Sequence, residues 1–186
     1  MKAYRIALQS LILVSFCSVG AAWASTFLPM PLSKLVRRST SVVVATPVSS
    51  NSHWAMVGST SHVVTDVTLE VAWTIRGEDK AGKDILVRTL GGTVDGRTHF
   101  VYGEARLPIG QSCLLFLVLD RENTLHVMGM AQGHYPTEPD GHGEWRVRRS
   151  PGLEGVVHPE LSAAAALSGQ RLLEVPKLLE TAEVSP

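Results

Sequence analysis

The clearest pattern in the chain is alternation. Val63, Thr65, Val67, Leu69, Val71, Trp73 and Ile75 occupy every second position, with Asp66, Thr68, Glu70 and Thr74 between them. A period of two sends the two sets of side chains to opposite faces of a strand. A stretch of this length far exceeds the usual strand of about 5–6 residues. It predicts a coiled strand that wraps a barrel or bridges two sheets. A second pattern is an unbroken apolar run, Cys113-Leu114-Leu115-Phe116-Leu117-Val118-Leu119, bounded by turn residues. That run predicts a strand buried on both faces. Asp120 to Asn123 then forms a tight polar connection into Leu125 to Met130, so the two apolar runs predict a hairpin.

Shorter elements surround these two. Pro29 to Pro31 reads as an extended lead-in, and Leu32, Leu35 and Val36 predict a short amphipathic helix over Leu32–Arg38. The β-branched stretch Ser41–Thr46 predicts a strand ended by Pro47, followed by a polar loop from Ser49 to Ser61 that holds His53 and Trp54. Gly77 to Lys83 reads as a charged turn and Ile85 to Leu90 as a strand. Gly91 to Gly96 reads as a turn where glycine supplies positive φ, with a further strand over His99 to Tyr102. A hairpin is expected between His134-Tyr135 and Trp145–Arg148, with Trp145 and Val147 inward and Arg146 and Arg148 on the outer face of an edge strand. Toward the C-terminus, the Ala-rich Leu161–Leu167 and the spacing of Leu172, Val175, Leu178 and Leu179 predict helices, with Pro176 restarting the second. The expected fold is therefore mainly β, an OB-like or closed β-barrel or sandwich of about six to eight antiparallel strands with short flanking helices.

The first 24 residues read differently. Lys2 and Arg5 precede an apolar stretch from Leu11 to Val19, and Ala22-Trp23-Ala24 places small residues where a signal peptidase reads them. Cleavage is expected after Ala24, which leaves residues 25–186 as a single barrel-like domain with a helical C-terminal tail. Gln9 and Ser10 shorten the apolar stretch below the roughly 20 residues of a membrane span. Bulky Phe16 before Cys17 argues against a lipid anchor. The expected location is the periplasm or the medium, with no stable membrane anchor.

Cleavage changes the composition. The 186-residue chain holds 17 basic and 17 acidic side chains and two cysteines. Without residues 1–24, 15 basic face 17 acidic, and Cys113 stands alone. A slightly acidic chain without a basic face argues against nucleic acid as partner. A lone thiol in an apolar run, with no Lys, Arg or His in that run to lower its pKa, reads as a buried, inert cysteine.

Chemistry is sparse. His134, Glu138, Asp140, His142 and Glu144 crowd into eleven residues, and His134, His142 and Glu144 are the candidate metal ligands. Neither a His-Glu-x-x-His motif nor the Cys pair of a zinc deaminase accompanies them, and the glycine and proline around them read as a solvated hairpin loop. Gly-x-Ser-x-Gly is absent, because Gly110-Gln111-Ser112 runs into Cys113 and Leu114. No phosphate-binding loop follows Gly91-Gly92. Arg37-Arg38 and Arg146–Arg149 read as solvated surface. No catalytic residue and no cofactor is assigned.

The segment order carries a resemblance. Ser41–Val48, Thr65–Val71, the Gly77 turn, Ile85-Leu86-Val87, Gly91-Gly92 with Asp95-Gly96, Gly103, Gly110 before Leu114–Leu117, and Met128-Gly129 with Gln132-Gly133 follow one another in a familiar layout. It resembles a group of uncharacterised exported bacterial proteins, and also the tissue-inhibitor/netrin-like module, across roughly residues 32–148. The resemblance implies an OB-type barrel and a binding role. It does not imply zinc chelation by an N-terminal cysteine, since the expected mature terminus is Ser25 and Cys113 has no disulfide partner. The expected function is thus an exported, non-catalytic domain that binds another envelope or secreted protein. The alternative is a metal-dependent or hydrolytic enzyme centred on His134, His142 and Glu144.

Overall fold

The computed structural model describes residues 26–78 and 81–184; the expected export signal and its cleavage site lie outside them. Helix α1 (Leu32–Arg38) leads into two 17-residue strands, β1 (Ser41–Val57) and β2 (Thr60–Arg76). Strands β3 (Asp84–Leu90), β4 (Gly92–Val94), β5 (Arg97–His99), β6 (Cys113–Leu119), β7 (Leu125–Val127), β8 (His134–Pro139) and β9 (Trp145–Val147) follow. Two helices, α2 (Ala163–Leu167) and α3 (Val175–Val184), close the described chain. Pro176 sits in the first turn of α3, where its missing N–H costs no hydrogen bond.

Seven strands form one sheet in the order β1-β2-β3-β7-β6-β8-β9, and β1 also pairs with β6. That extra pairing closes β1, β2, β3, β7 and β6 into a ring. The architecture is mainly β and barrel-like, as the alternation predicts. One departure from the expected antiparallel arrangement closes the ring: β3 and β7 run parallel, through Val87–Leu125 and Arg88–His126 alone. Between β3 and β6 the chain makes a separate two-stranded hairpin, β4–β5, turning at Asp95-Gly96 with both residues at positive φ.

Two apolar clusters lie on opposite sides of the ring wall. The inner one gathers Val43, Ala45, Val67, Leu69, Val71, Val87, Cys113, Leu115, Leu117 and Val127. The outer one packs Val42, Val44, Leu114, Phe116 and Tyr135 against Leu35 and Val36 of α1, Ala163 and Leu167 of α2, and Val175 and Leu179 of α3. Strand β6 therefore serves both: its odd positions face the barrel interior and its even ones face the helices. Its unbroken apolar run is the direct result, and Cys113 is buried as expected, its Sγ 3.5 Å from the Ala45 carbonyl oxygen. Burial pushes that thiol's pKa up to about 12.

Several local expectations change. The segment Ser49–Ser61 is not a loop: β1 continues through Pro47 to Val57 and pairs with β2 residue by residue as far as Val57–Thr60. A register shift between Pro47 and Ser49 accommodates the proline. The even alternation of β2 conceals a change of face. Val44 pairs with Trp73 and Ala45 with Val71, so Ala72 is the extra residue of a bulge. Val67, Leu69 and Val71 consequently point into the barrel, while Trp73 packs on the helical cluster. The expected strand at His99–Tyr102 is instead β5, which ends at His99. Trp145 is 47% exposed rather than inward, whereas Val147 is fully buried.

Burial of β6 on both faces yields a test. Leu115→Ala, which empties the barrel, and Leu114→Ala, which empties the helical interface, should each destabilise by about 2–5 kcal/mol. Leu86→Ala, at a position 54% exposed, should cost less than about 1 kcal/mol. Urea unfolding of the three variants measures this, and a neutral Leu114→Ala would show that the helical layer contributes nothing.

Candidate binding face

The ring's parallel seam determines what stands on its outer surface. Val67 and Val87 point inward, so their neighbours Asp66 and Arg88 point outward, and the registers place Asp66 opposite Arg88 and Arg88 beside His126. A charged row thus crosses β2, β3 and β7. Arg88 donates through Nε to Asp66 Oδ1 at 2.7 Å and through Nη2 to Oδ2 at 2.9 Å, the two-pronged geometry that suits guanidinium and carboxylate. His53 of β1 approaches the same carboxylate at 3.7 Å. The Arg88 hydrogen bond holds the Asp66 carboxyl below its ordinary pKa against the opposing effect of burial, and the Asp66 carboxylate raises that of Arg88.

The β6–β7 turn is tied to the far end of this row. Asp120 accepts the backbone N–H groups of Glu122 and Thr124 on Oδ1, each at 2.8 Å, and meets His126 Nε2 through Oδ2 at 2.8 Å. The Thr124 N–H is the largest influence lowering the Asp120 pKa. One carboxylate therefore shapes the turn and anchors it to the strand beside Arg88.

Two hollows meet at Arg88. The smaller, about 240 Å³, lies between the β1–β2 tip at Met56, Val57 and Gly58 and the turn at Asp120–Glu122, with Arg88 and His126 also lining it. The larger, about 670 Å³, is bordered by Ile85, Leu86, Leu119 and Leu125, with Gly77 and Glu78 at one end. Residues Asp84–Leu86 of β3 pair with β2 but precede the first β7 partner, so among the described residues that strand edge has no neighbour in the sheet. Apolar side chains stand exposed along the groove: Leu86, Leu119, Met56 and Val57. Chemically the face offers fixed charges of both signs, an open backbone edge and scattered apolar contacts. Within it the paired Asp66 and Arg88 are committed to each other.

The residues singled out by the sequence lie elsewhere. His134 opens β8, pairs with Leu115 and is 1% exposed, with Nδ1 3.0 Å from Ser150 Oγ and, among the described residues, no partner for Nε2. His142 is exposed in the β8–β9 turn, about 17 Å or more farther along, since β8 alone adds roughly 3.3 Å per residue. Glu144, in the same turn, pairs with Arg171 at 2.9 Å and Arg146 at 3.5 Å. Asp140 is engaged by Arg146 at 2.7 Å and accepts the His142 and Glu144 N–H groups. The structure thus brings Glu144 and Asp140 together around arginine and leaves His134 apart. Among the described residues no three His, Cys, Asp or Glu side chains form a group able to hold a metal ion. Asp66, Arg88, Asp120 and His126 escaped the sequence reading because only strand register unites them. Their one legible sign is that Asp66 falls on the polar half of the alternation.

The chain matches no protein-family model, and none of the curated proteins matches it.

Burial lowers the His134 pKa to about 4 from an ordinary 6.5. Between those values the unfolded chain takes up a proton that the folded chain refuses, so stability falls as pH drops from 6.5 toward 4. The loss should be on the order of 3 kcal/mol. Chemical denaturation at pH 7 and pH 4 checks it: His134→Gln should flatten this part of the profile, and an unchanged slope would assign the acid sensitivity to other groups.

Proposed function

We propose that this chain is an exported, non-catalytic OB-like domain that binds another envelope or secreted protein along the outer face of β3. The observation that carries the reading is the groove bordered by Leu86, Leu119 and Leu125, beside the unpaired edge Asp84–Leu86. In barrels of this strand order the face of the second and third strands, flanked by the first and last turns, is where ligands sit. Here those turns are Gly58-Ser59 and Asp120–Thr124, and both border the charged row.

An extended segment of the partner suits this edge. It would add backbone hydrogen bonds to β3 and place alternate side chains toward Leu86 or toward the Asp66–Arg88 pair. Charge also bears on partner choice. Arg88 and Arg121 stand against Asp66, Asp120 and Glu122 around the smaller hollow, a balance unsuited to a phosphate backbone. The N-terminal signal supplies the cellular side of the reading, since it directs the chain to where such partners reside.

The test is recovery of a partner. Purified protein, crosslinked in a periplasmic or secreted extract, should retain a specific protein. Leu86→Glu should reduce that recovery at least tenfold, while Leu173→Glu, at a site 84% exposed and outside the groove, should not. Failure to recover any protein, or equal recovery by Leu86→Glu, would sink the proposal.

A further inference from the structure

The segment between β5 and β6 holds a second site, which shares no lining residue with the groove along β3. A cleft of about 170 Å³ opens between Phe100, Tyr102, Glu104 and Glu154, and Arg106 borders it. A larger hollow of about 380 Å³ lies on the side toward the barrel mouth, and Phe100, Glu104 and Arg106 line both. The walls are held in place. Tyr102 stacks on Phe27 with ring centroids 5.7 Å apart, and Gly103, at φ +77, abuts the Phe27 ring so closely that a Cβ would lie 2.5 Å from it. Ala131 donates its N–H to the Gly103 carbonyl at 2.9 Å, pinning the segment to the 3₁₀ turn after β7.

Glu104 is the unusual member. Its carboxylate accepts the N–H groups of Ala105, at 3.0 Å, and of Leu90. Among the described residues no Lys, Arg or His nitrogen lies within 4 Å of it, although Arg106 is two residues away. Arg106 instead lays its guanidinium over Phe100, 4.9 Å from the ring centroid. Apart from the more distant His126, no cationic side chain among the described residues offsets this half-buried carboxylate, so its environment favours a cation that can reach it. The Phe100 ring adds a face that attracts cations, as its own chain's guanidinium demonstrates. Glu154 contributes a second negative charge at the rim and no positive one.

From this geometry we infer that the cleft of Phe100, Tyr102, Glu104 and Glu154 binds an alkylammonium or guanidinium head group, which enters beside or in place of Arg106. The volume sets the size of the occupant: about 170 Å³ is below the roughly 300 Å³ at which drug-sized pockets begin. It suits a cationic head rather than a whole metabolite. That head is either the end of a partner's Lys or Arg side chain or a small free amine. Burial raises the Glu104 pKa, against the smaller opposing effects of the Ala105 and Leu90 N–H groups and of His126.

Amide NMR of the full protein tests the inference with two probes, propylammonium and N-acetyl-arginine amide. Both should shift the Phe100–Arg106 signals saturably, with tighter binding of the arginine amide pointing to a peptide source and tighter binding of propylammonium to a free amine. Glu104→Gln, which keeps the acceptor for the Ala105 N–H, should weaken binding at least tenfold. Arg106→Ala, which clears the Phe100 face, should tighten it several-fold. The inference falls if neither probe gives saturable shifts, or if Glu104→Gln binds as well as the parent. It falls equally if Arg106→Ala abolishes binding, because Arg106 would then be a required part of the site rather than a competitor for the Phe100 face.

Discussion

Everything in this fold depends on one strand being buried from two sides. Residues Cys113–Leu117 of β6 are shielded from solvent on both faces. The inward set closes the barrel core and the outward set gives the helices something to cover. The strand's edges are used as fully: β1 lies along one, while β7 and β8 share the other. Burying an apolar side chain contributes about 1.5–3 kcal/mol, so this short segment concentrates much of the driving force. The helices in turn are too short to persist alone. They exist because Leu114, Phe116 and Val44 present an apolar wall to them.

That arrangement leaves the opposite wall uncovered by the helical layer. The helical layer covers β1, β6 and β8, and among the described residues no helix covers the outer surface of β2, β3 and β7 around Arg88. There charged side chains stand beside the exposed Leu86, and the strands end in turns. Asp66 and Arg88 satisfy each other, and Asp120 holds its own turn in shape. For the proposed partner, charges already oriented in this way would reduce the ordering cost of association.

The β-rich class and the doubly buried strand were legible because both depend on local periodicity. The run Cys113–Leu119 has the pattern of a strand covered on both sides, and the alternation from Val63 to Ile75 that of extended chain. The bulge at Ala72 was not legible, since an inserted residue leaves the apolar spacing unbroken while reversing which side is the core. The distal half of β1 was hidden for another reason: Ser49–His53 is polar, Trp54–Val57 lies largely outside the core, and only pairing with β2 makes this segment a strand. The binding face was harder still. Asp66, Arg88 and His126 come from three strands, and no spacing in sequence encodes their row. His134 shows the reverse problem, a conspicuous residue type whose β8 position places it inside the wall.

The parallel contact between β3 and β7 spans two residue pairs, whereas β1 and β2 are paired along almost their whole length. A ring is only as continuous as its shortest join. Hydrogen exchange would therefore find a fault line here, with β3 moving with the β1–β2 hairpin and β7 with β6. The molecule is better regarded as a curled sheet whose margins touch than as a seamless cylinder, and the margin that lifts first borders the groove.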